Sequence, residues 1–144
     1  DDLVGPKYVL QVPNAGHGLD GGHERVLSTV AAFFRHAATK TPLPQLEWEH
    51  VSSDDGYQLT ISSTTKPTSA HLWAAHSGTK DFRESKWQAQ PANGDANSNT
   101  FVATLAKPDR GCVAYYGELR FEHQGLPYSL CTVIRCCEPA QAED

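Results

Sequence analysis

The chain has 144 residues, a formal net charge of −5 and an apolar fraction of 39 %, enough for one domain with a buried core. Its basic residues are scattered, with no Lys/Arg stripe interleaved with aromatics, which argues against nucleic acid and an anionic membrane as partners. No apolar run is long enough to span a membrane, and there is no methionine, from which we expect the C-terminal piece of a longer, cut or processed protein.

Residues 1–6 read as a polar turn ending in Gly-Pro. Across 7–12 the residues Tyr8, Val9, Leu10 and Val12 show little alternation, which predicts a strand covered on both faces. Asn14 to Gly22 is a loop rich in residues that tolerate positive φ. From His23 to about Thr39, Val26, Val30, Phe33 and Ala37, flanked by Leu27 and Phe34, recur at helical spacing. Asp20 is placed to cap that helix or favour its N-terminus by charge, and Pro42 and Pro44 end it.

Beyond the stiff linker Thr41–Pro44 the period becomes two. Leu46 and Trp48 alternate with Glu47 and Glu49, and Tyr57, Leu59 and Ile61 with Gln58, Thr60 and Ser62. Further strands are expected at 70–76, 87–90, 100–106, 112–123 and 126–136, separated by turn chemistry. Seven short strands in this space predict a mainly β fold, an immunoglobulin- or fibronectin-III-like antiparallel sandwich. The expected division is therefore 1–41, then a sandwich over 45–137, then a tail over 138–144. Gln124-Gly125 reads as a two-residue hairpin turn placing His123 opposite Leu126, with Val113, Tyr115, Leu119, Phe121, Tyr128, Leu130 and Ile134 on the core face. In that register Cys112 faces Cys137, or Cys136 if the strand bulges at Gly117, so a disulfide from Cys112 to one of them is expected. Four cysteines in the last third, without zinc spacing, fit an oxidising compartment; the alternative is four free thiols.

The chemistry centres on His17. A buried strand, a Gly-flanked loop carrying a histidine and a following helix is the order in which an α/β-hydrolase presents the base of its triad. None of the ten serines lies in a G-x-S-x-G setting, and triad order in that fold puts serine and acid before the histidine. The competing readings are a solvated turn histidine, or a metal ligand grouped with Asp20 and His23. His71 and His76 near Trp73 read as strand residues, and Glu47 and Glu49 as the wet face of one strand. Trp48, Trp73, Trp87, Tyr115, Tyr116 and Tyr128 are candidates for an aromatic sugar-binding platform; Trp87 is the residue expected to be exposed and Trp73 the one expected in the core.

Tyr8-Val-Leu-Gln-Val-Pro-Asn-Ala-Gly-His17, preceded by Gly5-Pro6-Lys7, resembles the histidine region of the PhoPQ-activated pathogenicity-related protein family. Ala114-Tyr-Tyr-Gly-Glu-Leu-Arg-Phe-Glu122 with Pro127-Tyr128 is similar to that family's C-terminal β-region. The resemblance implies an exported α/β-hydrolase with a C-terminal β-sandwich, and His17 as its triad histidine. The expectation is thus the C-terminal fragment of a secreted or periplasmic serine hydrolase, esterase- or peptidase-like. It would begin with the hydrolase's last strand–loop–helix unit and be inactive without its upstream serine and acid. No cofactor or metal is expected. The expected partner is the missing hydrolase portion, with self-association through strand 7–12 and helix 23–39 as another way to cover their apolar faces. The alternative is a non-catalytic sandwich that binds carbohydrate or protein.

Overall fold

The computed structural model describes residues 4–94 and 99–138. One helix, α1 (His23–Thr39), precedes β1 (Leu46–Ser53), β2 (Gly56–Ser63), β3 (Ser69–Ser77), β4 (Gln88–Pro91), β5 (Asn93–Gly94), β6 (Thr100–Leu105), β7 (Cys112–His123), β8 (Leu126–Cys131) and β9 (Arg135–Cys137). The strands form two antiparallel sheets, one ordered β1-β2-β6-β5 and the other β4-β3-β7-β8, with β9 also paired to β7. The strands predicted from period-two patterning are present, the last of them, expected over 126–136, split into β8 and β9, and the fold is mainly β. The core lies between the sheets, where Leu59 and Ile61 of β2 meet Leu72 of β3 and Val113, Tyr115 and Leu119 of β7. Tight contact there requires Gly117: a Cβ at this position would lie 1.9 Å from Ile61 Cδ1 and 3.1 Å from Leu59 Cδ2.

The β7–β8 hairpin turns through Gln124 (φ 51°) and Gly125 (φ 78°), both left-handed as a type I′ turn needs, and pairs His123 with Leu126 as expected. The end of that hairpin differs from expectation. Thr132 leaves the strand, donating its N–H to the Gly117 carbonyl (2.9 Å) and accepting the Gly117 N–H on Oγ1 (3.0 Å). The register passes from Glu118↔Cys131 to Tyr115↔Arg135, three steps along β7 against four on its partner. The extra residue therefore lies within 132–134, not at Gly117. Val113 consequently faces Cys137 and Ala114 faces Cys136, so Cys112 opposes neither expected partner, and all four cysteines are free thiols. The same shift leaves Ile134 exposed, where the core face was expected.

Residues 7–12 form neither helix nor strand and join no sheet. The Cys131 N–H bonds to the Val9 carbonyl (2.8 Å) and the Gln11 N–H to Cys131 Sγ (3.4 Å). Both bonds reach only Cys131, the last residue of β8, so the predicted strand does not form here.

Helix α1 has the predicted bounds, but Gly22 is its N-cap, without a side-chain capping bond, so Asp20 does not cap it. It docks along β8 through Arg25, Thr29, Ala32 and His36, a stripe at helical spacing that is polar or small. The apolar residues that marked the helix point outward, as expected of a face without its partner: Leu27 is 67 % and Phe34 65 % exposed, and Val30 and Phe33 are also exposed. The sheet offers the helix polar partners, since Ser129 donates its N–H to Thr29 Oγ1 (3.3 Å) and Glu118 pairs with Arg25 (2.7 Å). At the far end His36 stacks on His123 with ring centroids 4.0 Å apart.

Candidate active site

His17 occupies the second position of a turn closed by Leu19 N–H to Gly16 C=O (2.9 Å). A second turn, Gly22 N–H to Leu19 C=O (2.8 Å), passes the chain into α1. Between the two, Leu19 is left-handed (φ 59°), a conformation costing a non-glycine residue roughly 1–2 kcal/mol. The His17 imidazole is exposed and makes no hydrogen bond or ion pair with any described residue. The Asp20 carboxylate folds back over Gly18, 3.5 Å from where a Cβ would stand, and does not bond His17. Among the described residues no three His, Cys, Asp or Glu side chains are grouped to hold a metal ion, so His17, Asp20 and His23 do not converge as ligands.

Two clamps fix the segment on either side of His17. On one side Asn14 engages the backbone of Trp87 reciprocally: Nδ2–H donates to the Trp87 carbonyl (2.9 Å) and Oδ1 accepts the Trp87 N–H (2.8 Å). On the other, Arg25 in the first turns of α1 reaches Glu118 of β7. Glu118 is 0 % exposed although its strand face lies outside the sandwich core, because the loop and helix cover it. Its carboxylate accepts from Trp73 Nε1 (2.6 Å), Ser129 Oγ (2.7 Å) and Arg120 Nε (3.1 Å) besides pairing with Arg25. Burial alone would raise its pKa, but the bonds from Arg120, Ser129 and Trp73 and the Arg25 charge outweigh it, holding the carboxyl below its ordinary range. The clamp residues are those that sequence reasoning missed. Their signal was the buried run from Cys112 to Leu119, in which both faces of one strand are apolar apart from a single carboxylate.

The aromatic residues form no open platform. Tyr115, Tyr116 and Tyr128 are buried, and Trp73 lies parallel to Tyr116 at 6.4 Å with Arg25 over its ring. Trp87, expected to be exposed, is half-buried against Tyr116 at 5.3 Å, whereas Trp48 on the edge strand β1 is 39 % exposed. Trp73, expected in the core, sits on the other face of its sheet beside Glu118. Glu47, Glu49 and His76 are exposed. His71 is half-buried, and burial first and Arg120 second lower its pKa.

The model of the PhoPQ-activated pathogenicity-related protein family matches residues 1–83, which span the His17 loop, α1 and β1 to β3. The chain belongs to the PhoPQ-activated pathogenicity-related protein family. The match takes in Asn14, His17 and Arg25, so one side of each clamp lies within the part shared with the family, while Trp87 and Glu118 lie beyond it. No curated protein and no solved structure matches the chain.

Proposed function

We propose that this member of the PhoPQ-related family supplies the general base of a serine hydrolase, esterase- or peptidase-like, with His17 as the triad imidazole. The serine and the acid come from an upstream segment of a longer, exported protein. The observation that carries the reading is the environment of His17: an imidazole at an exposed turn tip, clamped before and behind, with no partner of its own. A triad base needs that combination, because one ring nitrogen must meet a serine hydroxyl and the other a carboxylate. The outward-facing Leu27, Val30, Phe33 and Phe34 support a covering hydrolase body, since exposed apolar clusters of this kind mark interfaces. The same reading takes residues 7–39 as the last strand–loop–helix unit of that body. The strands then form a fibronectin-III-like sandwich, supported by β1-β2-β6 facing β4-β3-β7-β8.

The test compares ester hydrolysis by this chain alone, by a protein that also carries the upstream segment, and by its His17→Ala variant. The chain alone should be inactive, and the longer protein active. His17→Ala should then cost at least about a thousandfold in kcat. Undiminished turnover in His17→Ala, or hydrolysis by this chain alone, would sink the reading.

A further inference from the structure

The His17 turn stands clear of the body of the molecule. A Cβ built at Gly16 would meet nothing within 4 Å, and one at Gly18 would meet only the Asp20 carboxylate. Packing around the turn therefore does not orient the imidazole, whose placement depends on what holds the two ends of the loop. Gly22 closes the base of the loop, where a Cβ would clash with Val12 Cγ1 and stand 3.3 Å from Ala15 Cβ. Two side chains then tie the ends to the sandwich: Asn14, held left-handed at φ 58°, and Arg25.

The two ties are parts of one structure. Trp87, whose N–H (2.8 Å) and carbonyl (2.9 Å) both bond the Asn14 amide, lays its indole against Tyr116 of β7, ring centroids 5.3 Å apart. Tyr116 lies parallel to Trp73 of β3 at 6.4 Å, and the Arg25 guanidinium sits 5.9 Å over the Trp73 ring while pairing with Glu118. The Trp73 indole N–H also donates to Glu118 (2.6 Å). A continuous layer on the outer face of β3 and β7 thus joins residue 14 to residue 25, on opposite sides of His17.

We propose that Asn14 is a positioning residue for the base: through its grip on Trp87 it sets His17 for proton transfer, so the sandwich is part of the hydrolase site. The inference rests on His17 being the triad imidazole. A general base displaced by about an ångström loses on the order of a hundredfold in rate. Glycines at 16 and 18 give the turn little stiffness beyond its one Leu19–Gly16 bond, so that tolerance has to come from the anchors, and Asn14 is the side-chain anchor nearest His17. Asn14 and Arg25 lie within the stretch matched by the family model and their anchors Trp87 and Glu118 beyond it, so the base depends on both halves of the chain.

Asn14→Gly is the test variant, since glycine takes φ 58° without strain and only the side chain is lost. Gln90→Ala is the control: it removes another side-chain amide bond to the backbone, from β4 to the Thr104 carbonyl (2.8 Å), away from the loop. In this chain alone, amide relaxation measured by NMR should give residues 15–19 order parameters near about 0.85 in the parent and in Gln90→Ala, and below about 0.6 in Asn14→Gly. In the protein that also carries the upstream segment, Asn14→Gly should lower ester-hydrolysis kcat by about tenfold or more with KM changed by less than about twofold, and Gln90→Ala should leave both unchanged. An Asn14→Gly loop as ordered as the parent's overturns the proposal whether or not the longer protein hydrolyses esters. A kcat within about twofold of the parent's overturns it too, as does a Gln90→Ala variant that loosens the loop as much as Asn14→Gly. Undiminished turnover in His17→Ala, by contrast, overturns the assignment of the base and with it any positioning role, and the relaxation data then separate a loop held for another purpose from one not held at all.

Discussion

Tyr116 and Glu118 lie two residues apart on one face of β7, both buried, and their polar groups fare oppositely. Glu118 has four partners for its carboxylate, whereas the Tyr116 hydroxyl has none. Removing an unsatisfied buried hydroxyl relieves a desolvation cost, so Tyr116→Phe should stabilise the chain by about 1 kcal/mol. Glu118→Gln keeps the shape but strands Arg25 and Arg120 without a counter-charge, and should cost about 3–5 kcal/mol. Between them, Gly117→Ala drives a methyl group into Ile61 and should cost about 1–3 kcal/mol. Urea unfolding of the three variants gives the order directly. A Glu118→Gln protein as stable as the parent would remove the second clamp from the account of His17.

At the level of elements, α1 shows what periodicity can and cannot report. Apolar spacing located the helix at His23–Thr39, because 3.6-residue recurrence depends only on the chain itself. It did not name the stripe that meets the sheet, because that depends on what the sheet presents, here Glu118 and Ser129. Glu118 was hidden for the same reason: on β7 the alternation marks a core face, and the other face counts as wet until a covering element is known. That His17 lies on an exposed turn was legible from its loop chemistry, whereas the clamps on either side join residues 73 and 93 positions apart. The β7–β8 register was readable from Gln124-Gly125, but the extra residue at 132–134 has no local signature, and with it went the expected disulfide. Two substitutions separate the helix faces. Phe34→Gln should shift stability by no more than about 0.5 kcal/mol, whereas Ala32→Leu, at a position 0 % exposed, should cost about 1–3 kcal/mol. Equal effects would mean that α1 docks through its apolar face in solution.

For the molecule as a whole, the buried ionisable groups set a stability window in pH. His50, His71 and His123 all have pKa values lowered by burial first, with Arg135, Arg120 and His36 respectively adding to the shift. Unfolded imidazoles titrate near about 6.5, so below that value the unfolded chain binds more protons than the native one and stability falls as the pH falls. Glu118, whose pKa is lowered in the fold, adds a second loss below about pH 4.3, where unfolded carboxyls protonate first. On the alkaline side the sign reverses. Burial pushes the Cys131 thiol up to about 11 and the Tyr115 and Tyr128 phenols up to about 12. The unfolded thiol releases its proton from about pH 8.5 and the phenols from about pH 10, so the native state then binds more protons and stability falls as pH rises. Urea midpoints measured across pH should therefore show a plateau from about pH 7 to about pH 8.5, with a decline on either side. Cys131→Val should remove the first part of the alkaline decline and leave the acid side unchanged. An acid limb that begins only near about pH 4.3 would show that the three imidazoles titrate as they do in the unfolded chain, which would contradict the half-buried positions of His50, His71 and His123.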